Sequence, residues 1–257
     1  AGAAAVRVVC ADDPGSAALS RSTDAVTYGT SEGASHRLTR LERARSSVGF
    51  DLERAGATLG RITLPVPGLH NARNAAAAAV TALELGVSFG AIERALARFG
   101  GVARRFEFRG EIDGISFVDD YAHLPGEVEA AIAAARDGGW NRVVCVFQPH
   151  RYSRTAALGA DFADAFDGAD QLVVTDVYPA GETPRPGVSG KLLVDAVLDA
   201  HPWASVAWLP RLEDVTTWLV ARLGPGDLCL TLGAGDLTGL PDIVIERLAR
   251  TSGVGVA

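Results

Sequence analysis

Residues 117–128 read FVDDYAHLPGEV and residues 142–155 read RVVCVFQPHRYSRT, with an alanine-rich stretch of helical character between them. Each segment is an apolar run that ends in a polar loop, and the two loops carry opposite chemistry. Asp119, Asp120, Tyr121 and His123 supply acceptors and a titratable ring, whereas His150, Arg151, Tyr152 and Arg154 supply donors suited to phosphate or carboxylate. Continuous apolar runs separated by a helix point to parallel strands buried on both faces. Parallel strands bring both loops to one sheet edge, beyond the carboxyl ends, where such sheets bind ligands.

The pattern repeats outward from this pair. Apolar runs at Val143–Phe147, Leu172–Val177, Ser205–Leu209 and Leu228–Leu232 alternate with helix-period segments at Val128/Ile132, Leu158/Phe162/Phe166, Leu193/Val197 and Val215/Trp218/Leu219. Phe106–Glu111 and Ile115–Val118 flank Asp113-Gly114, a strong hairpin signal. Polar clusters follow four of the runs: DDYAH, QPHRYSR, DVYPAGE and GAGD, the last being Gly233–Asp236. The expectation is an α/β domain over residues 102–257, a mostly parallel, Rossmann-like sheet flanked by helices.

Residues 1–101 are less regular and predict an incomplete α/β segment, the rear part of another domain. Val6–Cys10 reads as a buried strand ending at ADDPG, and the Arg- and Ser-rich stretch to Gly60 predicts only short strands and loops. Leu64–Gly68 (LPVPG) reads as a rigid linker into a helix from Asn71 to Leu85, stopped by Gly86. Ser88 is placed to cap the next helix, with Ile92, Leu96 and Phe99 on one face, and Gly100-Gly101 sets the domain boundary.

Composition narrows the function. A net charge of −7 excludes a general nucleic-acid binder, and the 48% hydrophobic content indicates a globular chain. Cys10, Cys145 and Cys229 show neither disulfide nor zinc spacing, and no apolar stretch is long enough for a bilayer. These features predict a cytoplasmic protein without a membrane role. No phosphate-cradling G-x-x-x-x-G-K-[ST] occurs, and no methionine, even at position 1. The expectation is a chain that starts inside a longer product.

Each candidate site residue also has an ordinary alternative. Asp119 could cap the helix at Pro125, while Asp120 could orient a ribose or a metal-bound water and His123 could meet a substrate. Arg151 and Arg154 precede a helix expected near Thr155, whose free N–H groups would strengthen an anion site, although surface arginines are often merely solvated. Asn71 and Asn74 could present two amides to a base edge or act as caps. Arg104 and Arg105, at the domain junction, could reach a nucleotide or be solvated hinge charges.

Five words in order resemble the Mur ligase family: PGLHNARNAAAA (67–78), GVARRFEFRGE (101–111), DDYAHLPGEV (119–128), FQPHRYSRT (147–155) and LTLGAGD (230–236). The similarity runs from about residue 64 to residue 242. The resemblance implies a rear part of the central ATP-binding domain over 1–101 and a C-terminal, amino-acid-binding domain over 102–257. It further implies an ATP- and Mg²⁺-dependent ligase of peptidoglycan precursor synthesis. Such an enzyme activates a carboxylate as an acyl phosphate, which an amine then attacks. HRYSRT favours the branch that joins L-alanine to UDP-N-acetylmuramate. By position, Asn71 and Asn74 would lie against adenine, and Arg105 and Asp120 against ribose and phosphates. Tyr121, His123, His150, Arg151 and Arg154 would face the amino acid and the reacting carboxyl. Leu124 stands where a second histidine is expected, and the phosphate loop and magnesium ligands would lie upstream, in a missing N-terminal part of the same enzyme. The implied consequence is a fragment inactive alone. A free-standing anion- or amino-acid-binding module and another ATP-dependent amide ligase are the alternatives.

Overall fold

Two compact units, Ala1–Gly101 and Val102–Ala257, divide the chain, each with its own sheet. The computed structural model describes residues 6–21 and 23–252.

The first unit runs β1 (Val8–Cys10), α1 (Pro14–Ser20), β2 (Val26–Gly29), β3 (His36–Ala44), β4 (Ser47–Arg54), β5 (Ala57–Leu64), α2 (Leu69–Glu84) and α3 (Phe89–Ala97). Its strands lie in sequence order, β1 to β3 parallel and β3 to β5 antiparallel. Leu38, Phe50, Leu52 and Ile62 are buried with Ala72, Ala75, Ala76, Ala79 and Val80 of α2. Alanine is the best helix former, and its small side chain lets a helix lie close to a sheet.

The unit is therefore better formed than its pattern suggests. The region expected to hold short strands contains three strands of eight or nine residues. The register shifts between Thr39 and Glu42, where Arg40 has φ 45°, and this bulge breaks the alternation that would mark β3. β1 is shorter and less buried than expected, because it is the edge of the sheet. The LPVPG segment is largely buried, and Phe99 lies exposed beyond α3.

The second unit runs β6 (Glu107–Ile112), β7 (Ile115–Asp120), α4 (Pro125–Asp137), β8 (Arg142–Phe147), α5 (Tyr152–Leu158), β9 (Gln171–Val174), α6 (Lys191–Ala200), β10 (Val206–Trp208), α7 (Leu212–Arg222), β11 (Asp227–Leu232) and α8 (Leu240–Ser252). The sheet order is β10-β9-β8-β11-β7-β6, parallel except for β6. The β6–β7 turn places Asp113 at φ 51° and Gly114 at φ 74°, the paired left-handed residues of a two-residue hairpin turn.

Alternation along β8 explains why both faces are covered. Val143, Cys145 and Phe147 join Ile132, Phe162, Phe166 and Leu193 in one core. Val144 and Val146 join Phe117, Leu219, Leu237 and Val244 in another. Cys145 and Cys229 are fully buried on central strands, and Cys10 in the first unit is partly exposed. Burial raises both buried thiols, Cys229 to about 12. Two strands are shorter than their apolar runs: β9 ends at Val174, and β10 spans three residues. No helix among the described residues is long and apolar enough to cross a membrane.

Candidate active site

Four loops leave the carboxyl ends of β7, β8, β9 and β11, and hydrogen bonds lock them together. Asp119 is fully buried and accepts from Thr231 and Thr238 hydroxyls, each at 2.8 Å, and from Arg104 Nε at 3.1 Å. Arg104 also donates to the Gly233 carbonyl at 2.6 Å. Asp119 therefore caps no helix; it neutralises an arginine that ties β7 to the loop after β11.

Asp120, expected at the nucleotide, lies 4% exposed with both oxygens engaged. Phe106 N–H donates to Oδ2 and Ala122 N–H to Oδ1, each at 2.7 Å. Burial raises its pKa above the ordinary carboxylate value, against these two bonds. Its geometry fixes the segment entering β6, where Arg104 and Phe106 have φ 60° and 48°. Two left-handed non-glycine residues flanking Arg105 store about 1–3 kcal/mol each, held by these contacts.

A chain of rings and cations crosses the edge. Arg104 and Arg105 lie 5.0 and 5.5 Å from the Tyr121 ring centroid, within cation–π range. Tyr121 meets His123 edge-on at 5.4 Å, His123 lies 5.6 Å from His150, and His150 stacks on Tyr178 at 5.7 Å. The expected residues Tyr121 and His123 are thus on one loop and His150, Arg151 and Arg154 at the adjoining one, while Arg105 reaches Tyr121 from the segment entering β6. Asn71 and Asn74 belong to the other unit. Asn71 Nδ2 donates to the Pro67 carbonyl at 2.7 Å, and Asn74 is exposed one turn on.

The two histidines differ in which nitrogen is free. His123 Nδ1 lies 3.0 Å from the Tyr121 carbonyl and 3.3 Å from Glu127 Oε2, so Nδ1 carries the hydrogen and Nε2 the lone pair. His150 Nδ1 lies 3.0 Å from Arg154 NH1, which can only donate, so its hydrogen sits on Nε2. Burial and the nearby charges of Arg154, His123 and Arg151 lower the pKa of His150, keeping it neutral near pH 7.

The anion loop differs from expectation at its helix. α5 starts at Tyr152, earlier than Thr155, and has seven residues. Arg151 is its N-cap with φ 72°, and no side chain caps it. The loop is held by its neighbour after β9. Arg151 N–H donates to the Tyr178 carbonyl and Tyr178 N–H to the Pro149 carbonyl, each at 2.8 Å. Glu182 accepts from the Ser153 N–H at 2.8 Å and from its hydroxyl. These bonds hold Glu182 below its ordinary value.

Gln148 continues the lock, donating to Asp236 at 2.8 Å and accepting from Leu237 N–H at 3.3 Å. Gly235 passes so close that a Cβ there would sit 2.4 Å from Gln148 Oε1 and 2.5 Å from the Tyr178 ring. Glu127, Tyr178 and Glu182 were not among the expected site residues. Glu127 belongs to DDYAHLPGEV and Glu182 to DVYPAGE, but nothing in the sequence sets them against His123 or Ser153.

The arrangement offers arginines for growing negative charge, an imidazole donor and an imidazole acceptor. It does not offer a metal site: among the described residues, no group of three or more His, Cys, Asp or Glu is placed to hold an ion.

Residues 104–235 match the family described as Mur ligase, glutamate ligase domain. A UDP-N-acetylmuramate–L-alanine ligase of Kineococcus radiotolerans is 48% identical over 251 residues, covering 95% of this chain and 52% of that protein. One of the same name from Geobacter sp. (strain M21) is 44% identical over 223 residues, 86% of this chain and 48% of that protein. The crystal structure of UDP-N-acetylmuramate–alanine ligase MurC from Thermotoga maritima superposes with TM-score 0.76 at 27% identity, covering 96% of this chain and 52% of that one. The chain spans about half the length of the curated relatives it matches.

Proposed function

The chain belongs to the Mur ligase family, and from that premise we propose that it is the rear part of an ATP-dependent ligase that joins L-alanine to the lactyl carboxylate of UDP-N-acetylmuramate. One observation carries the reading. The two loops that carry Tyr121, His123, His150, Arg151 and Arg154, with Arg105 over Tyr121, lie within a chain 48% identical to a relative of that name.

In this reading the carboxylate takes the terminal phosphoryl group of ATP, giving an acyl phosphate. The amine of L-alanine attacks the acyl carbon, and the tetrahedral adduct expels phosphate. Negative charge grows on the acyl oxygen and on the departing phosphate. Arg151 and Arg154, with the Nε2–H of His150, are the donors this chain supplies for that charge. The attacking nitrogen must shed a proton. His123 Nε2 is the acceptor, and Glu127 stabilises the imidazolium across Nδ1–H. Arg105, over Tyr121, faces the nucleotide, and Asn71 and Asn74 offer amides to its base. Asp120 serves by fixing the Arg104–Phe106 backbone. The Mg²⁺ ligands and the phosphate loop that the phosphoryl transfer needs would lie in upstream sequence.

The test is ATP-dependent phosphate release with UDP-N-acetylmuramate and L-alanine. This chain is assayed beside the same chain joined to the upstream half of the Kineococcus relative. Activity in the joined protein alone is the expected outcome. Turnover by this chain alone overturns its standing as a fragment, and a folded but silent joined protein overturns the ligase reading.

A further inference from the structure

The amino edge of the six-stranded sheet, opposite the candidate active site, carries a groove with its own chemistry. Between the starts of β9 and β10 lies a cavity of about 270 Å³ with an apolar floor that includes Phe166, Leu172, Val197 and Val206. A second cavity of about 450 Å³ adjoins it, the two sharing Asp167 and His201.

Trp203 stands at the rim of the first cavity with 84% of its surface exposed, the most exposed large hydrophobic residue among the described residues. Trp rarely stands so free without a partner, and it is enriched in the centres of protein interfaces. It is held rather than loose: its ring lies edge-on to His201 at 6.5 Å, and His201 Nε2 lies 2.8 Å from Asp164 Oδ1.

The rim is acidic for a reason legible in its geometry. Between α5 and β9 the chain makes successive three-residue turns, with Ala163, Ala165, Asp167 and Ala169 each donating to the carbonyl three residues back. In such turns side chains three apart line up. DFADAFDGAD therefore turns Phe162, Ala165 and Phe166 into the core and leaves Asp161, Asp164, Asp167 and Asp170 exposed. Among the lining residues Arg136 is the one permanent cation, and it pairs with Asp170 at 2.9 Å.

We infer that this groove is a docking site for a basic segment of a partner protein. An apolar floor, an acidic rim and an exposed indole together match a side chain with an aliphatic stem and a cationic head. The stem of an arginine or lysine fits over Phe166, Leu172 and Val206, its charge among Asp164 and Asp167, with Trp203 supplying a cation–π face. A zwitterionic or neutral ligand would leave the carboxylates unmatched, and an acidic partner would be repelled. The inference does not rest on the ligase reading, since none of these residues belongs to the carboxyl-edge site.

The experiment is fluorescence anisotropy of a labelled hexapeptide alternating Arg and Ala, titrated with the 257-residue chain at low and at moderate salt. Saturable, salt-sensitive binding is expected. Trp203→Ala and Asp167→Asn should each weaken it by about tenfold. Asp214→Asn, the same charge change on α7, should leave it within about twofold. Trp203 and Asp167 are exposed, so circular dichroism of both variants should match the parent. Absence of saturable binding, or binding that the three variants alter equally, overturns the inference. So does competition by free arginine at the peptide's own concentration, which would mark a small-cation site.

Discussion

His123 and His150 have their rings 5.6 Å apart, yet the groups bonded to them give them opposite tautomers. The difference is testable without turnover. Arg154→Met removes the donor that fixes His150 with its hydrogen on Nε2, and it removes a neighbouring cation that lowers its proton affinity. Nitrogen-detected NMR should then show mixed tautomers for His150, a pH midpoint moved upward, and His123 little changed. A third histidine offers a contrast. His36 is 1% exposed, and neither ring nitrogen has a hydrogen-bond partner. Burial and the charge of Arg54 lower its proton affinity below the ordinary histidine value of 6.5, against the pull of Glu84. The unfolded chain therefore binds a proton that the folded chain resists. The stability present above about pH 6.5 is lost as the pH falls toward the folded value. His36→Leu should stabilise the protein by about 1–2 kcal/mol at pH 7, since it removes buried polar atoms without partners. It should also flatten the pH dependence between about pH 7 and 5; urea denaturation at both pH values checks it.

At the level of strands and loops, the site depends on one loop bracing another. Glu182, on the loop after β9, holds Ser153 of the anion loop through both its N–H and its hydroxyl. Glu182→Gln weakens both bonds without removing bulk. In the complete enzyme kcat should fall by about tenfold with a small change in melting temperature, and hydrogen exchange at Ser153 should speed up. Gly235→Ala should do more harm, because Tyr178 and Gln148 occupy the space its methyl needs. A drop of several degrees in melting temperature is expected, and an unchanged value would show that the β11 loop is not clamped. The same bracing explains what the sequence could reveal. Strands β7, β8 and β11 are central and apolar on both faces, and Asp113-Gly114 has one favoured turn, so these elements were legible. The two loops that carry His123 and His150 were legible as chemistry. Their support was not, because Glu182 and Ser153 are 29 residues apart and meet only once β8 and β9 pair. In the first unit, the bulge at Arg40 and the arginines crowding Asp51 hid β3 to β5 behind a polar composition.

For the molecule as a whole, the two units have no core in common. The first unit rests on alanines of α2 over a mixed sheet, the second on a parallel sheet covered on both faces. A chain of residues 102–257 alone should fold with a single cooperative transition and retain the His123 and His150 resonances of the whole chain; a broad transition would show that the units depend on each other. The cysteines offer a way to watch this happen. Cys10 lies partly exposed in one unit, while Cys145 and Cys229 sit on adjoining strands at the centre of the other, with burial holding both thiols protonated. A maleimide therefore reaches the first thiol at a rate set by local breathing of a sheet edge. It reaches the other two only when the parallel sheet comes apart. Labelling kinetics followed by mass spectrometry would clock each unit's opening in a single tube, with no engineered probe.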